Sequence, residues 1–396
     1  MDVFLIRDYS SLSRVCRSSN CLSDQPFFVY FEEEGQMSRS EFSRQNLTRI
    51  YGETPSVPLD SGARIVIFSD LHLGNGKGAD DFRTNGAMFT RVLSDYYYAR
   101  DYSLILNGDI EELQRFRLSD IRERWKAVYE VFNRFERHGR LRRLIGNHDL
   151  DLRDRTDHDF TVEEALRFTY HDNSIFVFHG HQTSIRFERF NKLIGFGLRW
   201  FANPLRISNY TVAHDSVKRF RTEEHVYDFA SSRKVLSIIG HTHRPLFESM
   251  SKIDSIKFDV ERLCREYTEA GDEQKARIER TIEMYRRELE QIDVTDDETA
   301  SVASLYNANL VVPCMFNSGT VIGKRGMTCL EIEDGSLSLV HWFDDTRSRK
   351  YLSYDNYETE QLPGTDFHRV EVKRDSLDYI FTRITLLAGP RTEAAI

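Results

Sequence analysis

Residues 65–72 read IVIFSDLH, a run of branched and aromatic apolar side chains that stops at Asp70 and His72. Later stretches repeat the pattern. SLILNGD (103–109) ends in Asp109, RRLIGNHD (142–149) carries Asn147 and His148, IFVFHGH (175–181) carries His179 and His181, and VLSIIGHTH (235–243) ends in His241 and His243. Short runs rich in Ile, Val, Leu and Phe, bounded by Gly, read as buried strands of a largely parallel sheet. In such sheets ligand sites open at the carboxyl ends of the strands, where residues distant in sequence converge. Carboxylate, amide and imidazole donors gathered at one sheet edge suit a pair of hard-to-borderline divalent cations.

Working outward, strands alternate with helical patterns from Ala63 to Ile239, which gives an α/β class. One helix is expected from Ser119 to His138, with Ile121, Trp125, Val128 and Phe132 at helical spacing. The alternation is broken twice. Residues 182–234 form a long aromatic and basic insertion between two motif strands, placed as a lid or cap usually is. Residues 251–303 carry Ile256, Val260, Leu263 and Tyr267, then Ile278, Ile282, Tyr285, Leu289 and Ile292, split by Gly271. Those steps of four and three describe two amphipathic helices folded as a hairpin. The core is thus expected over 61–250 and 304–345, with strands at Leu310–Phe316, Met327–Glu333 and Leu337–Phe343. An N-terminal extension (1–60) has an apolar patch at Phe27–Phe31 and a helix from Ser38 to Tyr51. A C-terminal tail (346–396) is polar until LDYIFTRITLL, which docks back on the body.

Composition narrows the class. The 396 residues are 40% apolar and 30% charged with a formal charge of -9, which argues against holding nucleic acid by bulk electrostatics. Two divalent ions would offset about +4 of that charge. The start, MDVFLIRDYS, does not read as a secretory signal, and no apolar run is long enough for a transmembrane helix. Cys16, Cys21, Cys264, Cys314 and Cys329 are scattered and odd in number. They read as reduced thiols of a cytoplasmic protein, and Cys16/Cys21 lacks the second half of a zinc site.

The order Asp-x-His, Gly-Asp-x-x-Glu, Gly-Asn-His-Asp, His-Gly-His, Gly-His-Thr-His resembles the calcineurin-like metallophosphoesterase superfamily. The resemblance covers Ala63 to Pro245 and the strands from Leu310 to Phe343. It implies a four-layer α/β/β/α sandwich carrying the cap and hairpin as insertions. It also implies that Asp70, His72, Asp109 and His243 hold one metal, while Asn147, His179 and His241 hold the other, with Asp109 as shared bridge. A carboxylate can bridge cations about 3.5 Å apart, and neutral imidazoles and an amide keep the site positive enough to draw phosphate and acidify a bridging water. Asp, Asn and His accommodate Mn²⁺ first, with Fe²⁺ or Zn²⁺ as alternatives.

In related enzymes the His of Gly-Asn-His faces the substrate, which makes His148 the group that stabilises the phosphoryl charge or protonates the leaving oxygen. Glu112 matches the acidic partner that orients it; Asp149 either shares that task or caps a turn. His181 is a candidate substrate contact or supports a ligand from behind, and Arg244 either meets phosphate or forms a salt bridge. Gly74, Gly76 and Gly78 imitate a phosphate loop without its Lys-Ser/Thr ending.

Within the superfamily, SDLHLG, LNGDIEEL, the cap and IGHTHRP look like the branch of UDP-2,3-diacylglucosamine hydrolases, although those enzymes typically carry Arg where this chain has His148. An apolar cap at Phe190–Phe201 suits a lipid-bearing substrate or a peripheral membrane contact, or packs on its own core. The expected activity is phosphomonoester, phosphodiester or pyrophosphate hydrolysis on a small phosphorylated molecule, nucleotide conjugate or phospho-lipid. The alternatives are a nuclease of the same superfamily and a slow interaction scaffold. The heptad-like hairpin suits pairing in a homodimer.

Overall fold

Ser38 opens the first helix of the computed structural model. Its hydroxyl accepts the amide of Glu41 at 3.1 Å, so α1 (Arg39–Glu53) begins on a capped turn. The structure describes residues 38–156, 158, 161–184, 216–249, 270–293, 312–348 and 357–388, with isolated positions between 256 and 268. All of them belong to one compact unit, Ser38–Ile396. After α1 the chain lays down β1 (Ser56–Pro58), β2 (Ile65–Phe68), α2 (Gly86–Arg91, widening into a π turn over Val92–Tyr97), β3 (Ser103–Asn107), α3 (Leu118–Arg124) and α4 (Lys126–Arg137). Next come β4 (Leu141–Leu144), β5 (Ala165–Tyr170), β6 (Asn173–Phe178), α5 (Ser216–Arg233), β7 (Leu236–Ile239), α6 (Asp272–Asp293) and β8 (Met315–Asn317). The chain closes with β9 (Met327–Glu333), β10 (Ser336–Asp344), β11 (Thr359–Gln361), β12 (Phe367–Ser376) and α7 (Leu377–Leu387).

The strands form two sheets, a five-stranded one ordered β1-β5-β6-β7-β8 and a seven-stranded one ordered β11-β12-β10-β9-β2-β3-β4. Neither is wholly parallel, because β5-β6 and β9-β10 are antiparallel pairs and β12 runs antiparallel to β10. The motif strands are the parallel part. β2, β3 and β4 run together in the larger sheet, and β6 and β7 run together with β8 in the smaller one.

Pleating explains the layers. Along β2, Ile65 and Ile67 enter the core shared with the smaller sheet, whereas Val66 and Phe68 enter the core under α2–α4. Both faces are covered, and burying a side chain such as Phe68 contributes about 1.5–3 kcal/mol. On the far side of the smaller sheet, Phe176 meets Tyr51 of α1 and Phe229 of α5 with ring centroids 5.3 and 5.9 Å away. The result is an α/β/β/α sandwich.

Several expectations are refined. The single helix over Ser119–His138 is two helices, α3 and α4, broken at Trp125, whose indole donates to Asp80 Oδ2 at 3.0 Å. Residues 38–58, set in the extension on sequence, join the body: Leu47 and Ile50 are buried, and β1 extends the smaller sheet beside β5. The polar tail supplies two strands to the larger sheet before α7 buries Leu377, Ile380, Phe381 and Ile384. β12 was missed because its alternating charged residues are half-buried at most positions and carry no apolar run. Residues on either side of Gly271 are helical, with Ile256, Leu263 and Ile278 buried and Tyr267 Oη donating to Glu279 at 2.5 Å. The patch at Phe27–Phe31, the cap at Phe190–Phe201, Cys16 and Cys21 lie outside the described residues. Among those described, Cys264, Cys314 and Cys329 are free thiols, and no helix is long and apolar enough to cross a membrane.

Candidate metal centre

Each motif follows its strand into a tight turn, and the turns converge at one edge of the sandwich. Asp70, His72, Asp109, His241 and His243 all have left-handed backbones, with φ between 49° and 65°. Side chains with a Cβ resist that region at a cost of about 1–3 kcal/mol each, so surrounding bonds must hold them. Those bonds are present. Asp70 N donates to Gly108 O at 3.1 Å, His72 N to Asp109 O at 3.0 Å, and His241 N to Asp70 Oδ2 at 3.0 Å. Gly146 is required for closeness, since a Cβ there would lie 2.2 Å from Asp109 N and Oδ1.

The expected residues come together in overlapping groups. Asp70, His72 and His243 form one, His72, Asp109 and His148 a second, and Asp109, His179 and His241 a third, with donor atoms in each within 4.8 Å of one another. His243 Nε2 is 3.1 Å from Asp70 Oδ1, and His179 Nε2 is 3.2 Å from Asp109 Oδ2. Both contacts reach hydrogen-bond distance but miss its direction, so Asp70 Oδ1 and His179 Nε2 have no hydrogen-bond partner. Asn147 Oδ1 is likewise buried without one, while Gln114 Nε2 donates to the Asn147 carbonyl at 2.9 Å. Buried acceptors left this way cost stability unless something electropositive joins them. His179 Nδ1 donates to Asn107 O at 2.8 Å, which turns Nε2 toward the carboxylates; against burial, Asp109 and Asp70 lift the metal-free ring to about 9, so a cation bound there would take the place of its proton. The donor set therefore fits divalent metal.

Burial alone would raise Asp70 and Asp109, but the facing histidines more than reverse it, and both carboxyls sit below their usual range. Burial pushes His241 down to about 3, with His179 adding to the effect, and it also lowers His243. Both are neutral imidazoles near pH 7, the form that ligates.

Glu112 stands between two histidines. Its Oε2 lies 3.1 Å from His72 Nδ1 and 2.8 Å from His148 Nδ1. Against burial, His148 and His72 hold Glu112 at about 2, while Glu112 and Asp109 lift His148 to about 10. His148 N also donates to Asp109 Oδ1 at 2.8 Å. With Nδ1 taken by Glu112, Nε2 is the nitrogen left to carry a proton outward. Asp149 adds to the lift on His148 through its charge but is held elsewhere. It accepts the amides of Gly146 at 2.6 Å and Ile110 at 2.7 Å, tying two motif turns together, and burial lifts it to about 7.

The remaining candidates differ. His181 is wholly buried, its ring 5.5 Å from that of His179. Arg244 makes a two-pronged pair with Glu223 of α5, the salt-bridge alternative weighed from sequence. Sequence reasoning passed over Ser69, whose hydroxyl donates to Asp70 Oδ2 at 2.5 Å, and Asn317, whose amide donates to Gly240 O and Thr242 Oγ1 at 2.9 Å each. Asn317-Ser318-Gly319 does follow a strand as the other motifs do, which is the signal that could have found it. Glu223 had none, lying in a helix among other charged residues.

The family model described as calcineurin-like phosphoesterase matches residues 63–245. No protein of curated function matches the sequence. Among solved structures, a conserved uncharacterized protein of Streptococcus pneumoniae, titled a predicted phosphoesterase, is 14% identical with a TM-score of 0.27, covering 80% of this chain and 99% of its own. Yfce, a phosphoesterase from E. coli, is 13% identical with a TM-score of 0.28, covering 69% of this chain and 91% of its own. Likeness this distant transfers no chemistry.

Proposed function

We propose, from the premise that residues 63–245 form a calcineurin-like phosphoesterase domain, that this protein hydrolyses phosphoesters at a pair of divalent cations. Asp70, His72, Asp109 and His243 hold one cation, and Asn147, His179 and His241 the other, with Asp109 shared. Mn²⁺ is the first candidate, Fe²⁺ and Zn²⁺ the next. The observation that carries the reading is the set of buried polar atoms Asp70 Oδ1, Asn147 Oδ1 and His179 Nε2, none of which has a hydrogen-bond partner. When bound, such cations polarise the phosphoryl group and acidify water.

The chain's own residues do the rest. Glu112 fixes the His148 ring by accepting from Nδ1, so Nε2 presents a proton toward the leaving oxygen or the phosphoryl charge. Asp109 Oδ1, accepting from His148 N, sets that ring beside the shared carboxylate. Burial of Asp70, Asp109 and Glu112 excludes bulk water and strengthens each of these contacts. Arg244, oriented by Glu223, and His181, behind His179, are the further residues proposed to shape the substrate pocket. The substrate class is a small phosphorylated molecule, a nucleotide conjugate or a phospho-lipid.

The test is a hydrolysis screen with added Mn²⁺, Fe²⁺ or Zn²⁺ across phosphomonoesters, phosphodiesters, nucleoside diphosphate conjugates and single-stranded DNA. Metal-dependent turnover of a small ester supports the reading. Turnover confined to DNA replaces it with a nuclease, and metal binding without any turnover replaces it with a scaffold.

A further inference from the structure

The turn that carries His241 and His243 is held from an unexpected side. Between the two histidines lies Thr242, whose side chain is completely buried. Its hydroxyl donates to Glu223 Oε1 at 2.8 Å and accepts from Asn317 Nδ2 at 2.9 Å, so both capacities are used. Glu223 is itself buried, and the same carboxylate takes Arg244 through both Nε and Nη2. Residues 242 and 244 are thus pinned to one carboxylate, while the flanking residues 241 and 243 sit in left-handed backbone at φ 65° and 56°. Backbone in that region keeps its shape only where neighbours over-determine it. Here the neighbours are Glu223 and Asn317 on one side and Asp70 Oδ2, which accepts from His241 N, on the other.

Glu223 belongs to α5, which lies within the segment inserted between the fourth and fifth motifs. We infer that Glu223 is a positioning residue: through Thr242 it sets the spacing of His241 and His243, one for each proposed cation, and so makes the inserted segment part of the metal centre. The inference rests on the dinuclear reading above. Groups that orient metal ligands from behind change metal affinity or activity by about 10–100-fold when removed.

The test uses the full-length protein, stripped with chelator and titrated with Mn²⁺ by calorimetry. Thr242→Val keeps the side chain's size and removes only the hydroxyl. It is expected to weaken Mn²⁺ binding about tenfold at both sites, and Thr242→Ser is expected to restore it. Glu223→Ala, which also frees Arg244, should weaken binding at least as much, and the double variant should fall short of the sum of the two losses, because both break the Glu223–Thr242 link. Where Glu223→Ala does not fold, Thr242→Val and its serine rescue carry the test. A lower melting temperature with unchanged Mn²⁺ affinity in Thr242→Val overturns the inference and leaves Thr242 as packing only. Additive losses in the double variant overturn it too. If the unaltered protein takes up no Mn²⁺, the dinuclear reading falls first; uptake by it with unchanged affinity in Thr242→Val sinks this inference alone.

Discussion

The two runs of parallel strands build the site from opposite chemistries. β2, β3 and β4 deliver the carboxylates Asp70 and Asp109, the imidazole His72, the amide Asn147, and the His148–Glu112 pair. β6 and β7 deliver His179, His241 and His243, held by a backbone carbonyl, by Asp70 Oδ2 and by the Glu223–Thr242 link. The first half is charged and locked by ionic hydrogen bonds. The second supplies imidazoles alone, of which His241 and His243 are kept neutral by burial while Asp109 and Asp70 lift His179 to about 9. The division fits the proposed function: two carboxylates facing the two proposed cations would leave the site positive, whereas a carboxylate at every position would cancel the charge that draws a phosphoryl group.

Variants in the acidic half should show the largest effects. Asp109→Asn removes the oxygen charge shared between the proposed cations, and activity on p-nitrophenyl phosphate or bis(p-nitrophenyl) phosphate with Mn²⁺ is expected to vanish. Full activity in that variant would falsify the shared-bridge arrangement. His148→Ala should retain its metals by elemental analysis yet lose about 10²–10⁴-fold in rate, most with poor leaving groups. Loss of one metal instead would make His148 a ligand and move it out of the leaving-group role.

How far the sequence reveals this division follows from where each half stores its information. Asp70, His72, Asp109, Asn147, His148, His179, His241 and His243 are legible because each follows an apolar run; the expectation of one sheet edge is corrected by the structure, in which the strand ends of two sheets meet at one edge of the sandwich. The residues behind them are less so. Glu112 was readable by its spacing from Asp109, but its hold on His72 Nδ1 depends on how two turns zip together, with His72 N on Asp109 O and Glu112 N on Leu73 O. Asp149 looked equally suited to two tasks, and only the amides of Gly146 and Ile110 decide between them. Among the strands, β12 escaped because it has no apolar run: its alternation rests on Val370 and Val372 alone, among charged residues that are half-buried at most positions.

Glu112→Gln sharpens the comparison at intermediate size. A single carboxylate touches a proposed ligand, His72, and the proposed proton donor, His148, so its neutral amide should weaken Mn²⁺ binding and slow turnover together, each by about 10–100-fold. Calorimetry and kcat on the same preparation check this. A fall in kcat with unchanged Mn²⁺ affinity would confine Glu112 to His148 and separate the two roles.

The smallest effect concerns stability of the metal-free protein, where His148 and His241, one from each half, should respond to pH with opposite sign. His148, lifted to about 10 from 6.5, contributes stability that is complete below pH 6.5 and fades as pH rises toward 10. Glu112, held at about 2 against 4.5, adds stability complete above pH 4.5 and lost as pH falls toward 2. His241 opposes His148 and runs with Glu112: buried and neutral with its pKa near 3, it leaves the unfolded chain binding more protons below pH 6.5, so stability drops as pH falls from there toward 3. In chelator-treated protein at pH 5, His241→Asn should therefore melt higher than the unaltered chain and His148→Ala lower, each by roughly 2–4 °C. Melting curves from pH 4.5 to 9 read both signs. Shifts in the same direction at pH 5 would mean that His148 is not held charged by Glu112 and Asp109 while His241 is held neutral by burial.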